Sequence, residues 1–466
     1  MRVNRRAQHF HFLGICGTAM GAVAAALRTR GFVVTGSDER VYPPMSDFLR
    51  SKGIALTEPY RAENLPNDAD IVVVGNAIKR GNPEVEAVLN RKLYYLSLPE
   101  VLKETFLRGR HNLVVTGTHG KTTTTSLLTW MLTVAEMEPG YMIGGIPRNL
   151  GQGALLNDSK YFVIEGDEYD TAFFDKRSKF VHYLPELVIV NNLEFDHADI
   201  FPDLAAVKLS FRRMLNLVPQ NGMVLLNGDD ANCVEVAREC LAPIVEVGFS
   251  ENCAQRIEDV SYGTDGSYFS LGTMRFEIPL VGEFNVRNAA MAAAAARFYG
   301  VAPEVIQTAL TSFEGIARRQ EVRGTEGGVT VIDDFGHHPT AMRETLGALR
   351  HRFPGHRLWA IFEPRSNTTR RAVFQQELPD ALQLADGVFI AQVAALEQIP
   401  EEDRLHPEEV VAAIAAAGKM AFYEKDANAI VERIGKLLQP NDVVVVFSNG
   451  GFDGIHEKLL ARLRDG

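Results

Sequence analysis

A chain of 466 residues, 46% hydrophobic and 23% charged, has the balance of a globular protein of about three domains. It can bury a large core without a disulfide or metal staple. A formal charge of −11 with no basic run argues against nucleic acid as the main partner, and four cysteines without CxxC or zinc-ligand spacing predict free thiols in a reducing compartment.

The N-terminus, MRVNRRAQHF, is basic but leads into HFLGICG with no apolar stretch followed by a small-residue cleavage site. No apolar run reaches the length of a membrane span, so a cytoplasmic protein without membrane insertion is expected. HFHFLG predicts a first strand, residues 18–30 an Ala-rich helix, and residues 32–35 a second strand. Further strands are expected at 71–74 and, more weakly, at 93–96. The loop after the first strand carries Gly14, Gly17 and Gly21, and Ser37-Asp38 follows the second strand. Glycines there permit close approach of a nucleotide diphosphate, and the acid suits a ribose hydroxyl. The G-x-x-G spacing is not G-x-G-x-x-G, so NAD does not follow, and a purely structural tight turn is the other reading.

A polar stretch at 108–112 marks the first boundary, ahead of a strand at 113–116. Gly117-Thr118-His119-Gly120-Lys121-Thr122-Thr123 then opens a helix over 123–132. Glycine-turn and helix-start N–H groups form an anion hole, Lys121 can reach β- and γ-phosphates, and the Thr122 hydroxyl can ligate Mg²⁺. The loop is two residues shorter between its glycines than G-x₄-G-K-[ST]. Strands at 162–164 and 187–190 end in Glu165-Gly166-Asp167-Glu168-Tyr169-Asp170 and Asn191-Asn192-Leu193-Glu194-Phe195-Asp196-His197. Residues just past parallel-strand C-termini converge on one edge, so Thr122, Glu165 and His197 are expected around one pocket. Carboxylate, imidazole and hydroxyl suit Mg²⁺ bridging phosphates better than zinc. The unit continues through a strand at 223–226 and closes on an alanine-rich helix over 288–297.

A second boundary is expected near Arg323-Gly324. Strands at 329–332, 358–362, 388–391 and 443–447 alternate with helices in the last unit. Strands alternating with helices imply parallel sheets. The expected fold is α/β in three domains: Rossmann-like over 1–107, a P-loop ATP-binding domain over 108–322, and Rossmann-like over 323–466. His337-His338, just before Pro339, can serve a site or merely cap a helix.

The ordered set GxxGxxxG, GTHGKTT, EGDEYD, NNLEFDH, GEFNVRN, ARRQEVRG and DDFGHHPT resembles the Mur ligase family over essentially the whole chain. The resemblance implies an ATP- and Mg²⁺-dependent ligase of cell-wall biogenesis that adds an amino acid or peptide to UDP-N-acetylmuramate through an acyl phosphate. FFDKRSKF, EPRSNT and SNGGF are similar to the branch that reattaches a salvaged murein tripeptide, L-alanyl-γ-D-glutamyl-meso-diaminopimelate. The alternative within the family is the branch that adds free L-alanine.

The resemblance also implies roles. Gly14, Gly17, Ser37 and Asp38 would hold the UDP-sugar, and Lys121, Thr122, Glu165 and His197 would hold ATP and Mg²⁺. Asn285 and Asn288 would approach adenine, while Arg319 and Asp334 would approach phosphates and ribose. His338 and Arg365 would face the reacting centre, with Lys121 and His197 completing the catalytic group. His338 or a neighbouring carboxylate would take the proton of the incoming amine. Two departures stand out. Phe284 occupies the histidine position of the family's G-x-H-N-x-x-N, and Lys208 lies too near His197 in sequence to predict a carbamylated metal bridge.

Overall fold

The computed structural model describes residues 9–394 and 396–465, so the basic segment before His9 lies outside the described residues. Three large β-sheets follow one another along the described residues, with a separate two-stranded hairpin beside them. The first is all parallel, in spatial order Ala55–Thr57, Val33–Ser37, His9–Leu13, Ile71–Val74, Tyr95–Ser97. This order reverses at the first strand, and the crevice beyond the strand ends there is where such sheets bind nucleotides. The helix Thr18–Thr29 buries Met20, Val23, Ala24 and Leu27, an i, i+3, i+4, i+7 stripe, against that sheet.

The central sheet has ten strands and is mixed rather than purely parallel. Its parallel body runs through Ile244–Gly248, Met223–Asn227, Leu187–Val190, His111–Thr116, Tyr161–Glu165 and Gly140–Met142. Gln255–Tyr262 continues it in parallel, and Ser267–Leu271 and Met274–Ile278 extend it as antiparallel hairpins. Period-2 patterns with tight turns, such as the Gly272 turn at φ +63°, decide those hairpins. The alanine-rich helix spans Glu283–Phe298, and it does not close the unit, because Pro303–Thr311 follows and packs on the same core. Alanine there is a packing choice, since all but one of the alanines from Ala289 to Ala296 are fully buried and only small side chains let the helix lie close.

The last sheet runs Glu321–Glu326, Val329–Asp334, Val443–Phe447, Leu358–Phe362, Gly387–Ala391, Met420–Glu424. Its first strand is antiparallel and the rest are parallel. The cut expected between 322 and 323 falls inside Glu321–Glu326, which pairs wholly with the third sheet. A hairpin, Asp170–Ala172 with Asp175–Ser178, leaves the central unit and reaches the first sheet. There Phe174 meets Tyr95 edge to face at 4.9 Å between ring centroids, and Asn76 donates to the Asp170 carbonyl at 2.8 Å.

Candidate active site

The phosphate loop leaves the strand His111–Thr116 and enters the helix Lys121–Val134. Gly117 (φ +129°) and Gly120 (φ +77°) sit where L side chains are strained, and each lacks room for a Cβ. At Gly117 it would lie 3.0 Å from the Asn192 backbone, and at Gly120 2.5 Å from Asn288 Oδ1. No side chain caps the helix at Gly120, so its first N–H groups are available to an anion.

Lys121 Nζ donates to the Gly117 carbonyl at 2.5 Å and to both Glu168 oxygens at 3.0 Å. Burial alone would depress this ammonium, but the Glu168 and Glu165 carboxylates raise it above its ordinary value. Glu168 also meets His197 Nε2 at 3.0 Å. Burial works against a charged His197, and the Glu168 hydrogen bond overcomes it, raising the imidazole. His197 itself stands at φ +57°, a strained conformation for a non-glycine residue.

Thr122 Oγ1 donates to Glu165 Oε1 at 3.1 Å, and Glu165 Oε2 accepts the Gly144 N–H at 2.8 Å. Burial raises the Glu165 carboxyl against the Gly144, Lys121 and Arg319 contributions. A half-buried carboxylate beside a threonine hydroxyl, in a cleft that His197 also lines, is a donor set that fits a hard divalent cation. Arg319 Nη2 reaches the same hydroxyl at 3.5 Å, and its neighbours Arg318 (φ +62°) and Gln320 (φ +48°) are both left-handed. That turn aims Arg319 from the last domain's edge toward the phosphate loop.

These residues line a cleft of about 560 Å³. His119, Lys121, Thr122, Thr123, Glu165, Asn285, Asn288, Arg319, Asp334, His338 and Arg365 all face it, together with His197. Leu280, Phe284, Phe313, Ile316 and Phe335 supply an apolar wall. Asn285 donates to the Val281 carbonyl at 2.9 Å. Asn288 Oδ1 accepts from Thr124 at 3.2 Å, while its Nδ2 is buried without a partner. Asp334 is committed: it accepts from the Gly336 and Gln320 N–H groups at 2.7 and 3.0 Å. Arg365 is half exposed, 3.6 Å from Glu363, and packs over Gly450, where a Cβ would fall 2.5 Å from its Cδ.

His338 is the N-cap of the helix Pro339–Arg352, its Nδ1 accepting the Thr340 N–H at 3.2 Å. Its Nε2 faces the Phe195 carbonyl at 3.4 Å. Burial pushes this imidazole down to about 3, so it is neutral, and both ring nitrogens are engaged. His337 lies 3.8 Å from Asp196.

The acidic segment after Leu187–Val190 joins two domains. Glu194 accepts from His119 Nε2 at 2.9 Å and from Thr340 Oγ1 at 3.1 Å. Asp196 accepts from Thr368 Oγ1 at 2.8 Å, and Asp199 from Asn367 at 2.8 Å. Glu168, Glu194 and Thr368 are contacts that the sequence reading did not single out. The signal for Glu168 lay in the acidic run itself, whereas Thr340 and Thr368, which Glu194 and Asp196 meet, are more than a hundred residues away.

The first-domain loop lies outside this cleft. Gly14 and Ile15 donate their N–H groups to the Ser37 carbonyl at 2.9 and 3.1 Å. Cys16 N–H donates to Asp38 Oδ2 at 2.9 Å, and Gly17 starts a helix with no side-chain cap. Ser37 is fully buried and its hydroxyl donates to Glu84, so its side chain is turned away from any ligand at the loop surface. Lys208 is paired with Glu235 at 2.6 Å.

Comparison with known proteins gives three matches that tile the chain. A family model for the Mur ligase family catalytic domain matches residues 9–110, one for the Mur ligase middle domain 115–296, and one for the Mur ligase glutamate ligase domain 318–450. The UDP-N-acetylmuramate–L-alanyl-γ-D-glutamyl-meso-2,6-diaminoheptandioate ligase of Escherichia coli is 44% identical over 459 residues, 97% of each chain. A solved murein peptide ligase from Psychrobacter arcticus is 36% identical with a TM-score of 0.72, covering 98% of this chain and 99% of that one. The UDP-N-acetylmuramate–L-alanine ligase of Acetivibrio thermocellus is 31% identical over 463 residues, 97% of this chain and 96% of that one.

Proposed function

Because this chain belongs to the Mur ligase family, we propose that it is the ATP-dependent ligase that joins L-alanyl-γ-D-glutamyl-meso-diaminopimelate to UDP-N-acetylmuramate in murein peptide recycling. The observation that carries the choice of branch is the drop from 44% to 31% identity between the tripeptide and alanine ligases over the same length of chain.

A free carboxylate does not acylate an amine at neutral pH, because oxide is too poor a leaving group. The muramyl carboxylate oxygen therefore attacks the γ-phosphorus of ATP, ADP departs, and an acyl phosphate forms. The tripeptide amine then attacks the acyl carbon, phosphate leaves with the C–O bond electrons, and the nitrogen loses its proton. An α-amino group has a pKa of about 8, so a useful fraction is already neutral and no strong base is required.

We assign the UDP-sugar to the first domain, ATP to the central domain and the peptide to the last domain, whose first strand is Glu321–Glu326. The loop N–H groups of Gly117 to Lys121 cradle the β- and γ-phosphates, and Lys121 exchanges Glu168 for phosphate oxygens. Thr122, Glu165 and His197 fit Mg²⁺, which when bound supplies charge neutralisation on the transferring phosphoryl group. Arg319 adds a second cation from across the domain junction. Asn285, Asn288 and the wall around Phe284 hold the adenosine, and Arg365 faces the incoming peptide. Glu194, Asp196 and Asp199 seat the third domain over the loop, which keeps water from the acyl phosphate. His338 holds the helix that this contact uses, and its cap geometry argues against its serving as the amine's base.

No helix among the described residues is long and apolar enough to cross a membrane. ATP and a nucleotide sugar are cytoplasmic compounds, which supports a cytoplasmic location. The test is phosphate release from ATP and UDP-N-acetylmuramate with either amine. Turnover with the tripeptide and little with L-alanine is expected, and the reverse would place the chain in the alanine branch.

A further inference from the structure

Glu84 is a fully buried carboxylate far from the ATP cleft, on the second residue of the helix Pro83–Asn90. Burying a charge costs several kcal/mol unless it is paired and hydrogen-bonded, and an apolar side chain of similar size is often at least as stable. Fold stability alone therefore gives a weak reason for an acid here. Its contacts supply a stronger one.

One oxygen, Oε1, accepts the Arg61 N–H at 3.1 Å and Asn64 Nδ2 at 2.8 Å. The other, Oε2, accepts the Ser37 hydroxyl and faces His11 Nε2 at 3.7 Å. That imidazole nitrogen is buried and has no hydrogen-bond partner among the described residues. The helix start around Asn82 adds favourable backbone dipoles. Burial raises this carboxyl, but His11, Ser37, Asn64 and Arg61 together bring it below its ordinary value.

Each oxygen thus braces a different wall of the first-domain crevice. Through Ser37 it fixes the residue whose carbonyl clamps the Gly14 and Ile15 N–H groups. Through Arg61 and Asn64 it fixes the segment carrying Tyr60, whose hydroxyl meets Asp38 Oδ1 at 3.5 Å and stands beside Gly14. Asp38 in turn holds the Cys16 N–H. Glycine loop, acid and tyrosine are set relative to one another by one carboxylate that touches none of their exposed atoms.

We infer that Glu84 is a positioning residue for the sugar-nucleotide site, acting through Ser37 on the glycine loop and through Arg61 and Asn64 on the Tyr60 segment. The inference rests on the first domain being the one that binds UDP-N-acetylmuramate. Loss of the charge loosens the two walls independently, so nucleotide binding weakens while the ATP cleft is untouched.

The experiment is calorimetric titration of the full-length protein with UDP and, separately, with ATP and Mg²⁺, in wild type, Glu84→Gln and Ser37→Ala. Glu84→Gln keeps the shape and removes the charge. Ser37→Ala cuts only the link to the glycine loop and serves if the first variant does not fold. Affinity for UDP is expected to fall about tenfold in Glu84→Gln and severalfold in Ser37→Ala, with ATP affinity constant within about twofold. The KM for UDP-N-acetylmuramate should rise in parallel. Unchanged UDP affinity in a folded variant, or equal losses for both nucleotides, overturns the positioning role. Wild-type protein that fails to bind UDP at all overturns the assignment of the domain, and the inference with it.

Discussion

Lys121 Nζ lies 3.0 Å from both carboxylate oxygens of Glu168, which also holds His197 at 3.0 Å. The Lys121 ammonium is therefore paired with a buried acid. Glu168→Gln leaves a buried ammonium without its counter-charge, which costs about 3 kcal/mol when one partner of such a pair is removed. Melting temperature without nucleotide should fall by several degrees. ATP with Mg²⁺ should restore the variant by more than it stabilises the wild type, because γ-phosphate oxygens take the place of the carboxylate. Equal ATP-induced shifts in the two proteins would show that Glu168 does not hold the lysine in reserve.

His338 separates two readings that the sequence left open. Its Nδ1 caps the helix Pro339–Arg352, and burial pushes the imidazole down to about 3. Asparagine is a good N-cap, so His338→Asn should keep stability within about 0.5 kcal/mol, whereas His338→Ala should cost about 1 kcal/mol. The pH dependence of turnover should keep its shape in His338→Asn. Loss of the acid limb, or of one ionisation from that profile, would make the imidazole the proton acceptor after all.

The phosphate loop was legible from sequence because its determinants are local: an apolar strand, two glycines that need positive φ, and a helix start. The convergence of Thr122, Glu165 and His197 followed from a rule about parallel strand ends, and those three do face one cleft. What sequence could not reach were side-chain directions set by distant partners. Ser37 reads as a ligand contact from its place after a strand, yet Glu84, 47 residues on, turns its hydroxyl inward. The hairpin through Phe173 and Phe174 reads only as a distinguishing stretch, because its partner Tyr95 belongs to another sheet. The antiparallel strands escaped because alternating segments such as Ser267–Leu271 carry no long apolar run.

Phe284 stands on the apolar wall of the cleft with Leu280, Phe313, Ile316 and Phe335. A purine laid on an aromatic face gains about 1–3 kcal/mol per stacked base. Phe284→Ala should raise the KM for ATP about tenfold and leave that for UDP-N-acetylmuramate unchanged. Phe284→His, the residue common in the family, should lie between the two, since imidazole keeps a smaller π-face. If alanine leaves the KM for ATP unmoved, the adenine is seated elsewhere.

The link between Glu194 and the third domain gives a prediction with a defined pH sense. Burial raises the Glu194 carboxyl, but the His119 hydrogen bond, the nearby His338 and the Thr340 hydroxyl hold it at about 2, below the ordinary value of 4.5. Its folded-state value is depressed, so its stabilising contribution is complete above the unfolded value and is lost as pH falls from about 4.5 toward 2. The side chain is 35% exposed, so solvent screens part of the effect. Wild type should melt above Glu194→Gln by a constant margin from pH 8 to 5, and the margin should shrink steadily below about 4.5. Thr340→Val removes the hydroxyl at 3.1 Å and should reduce the margin without changing the pH at which it starts to shrink by more than a few tenths of a unit. A margin that persists undiminished at pH 3.5 would mean that shape, and not the carboxylate's charge, joins the phosphate loop to the third domain.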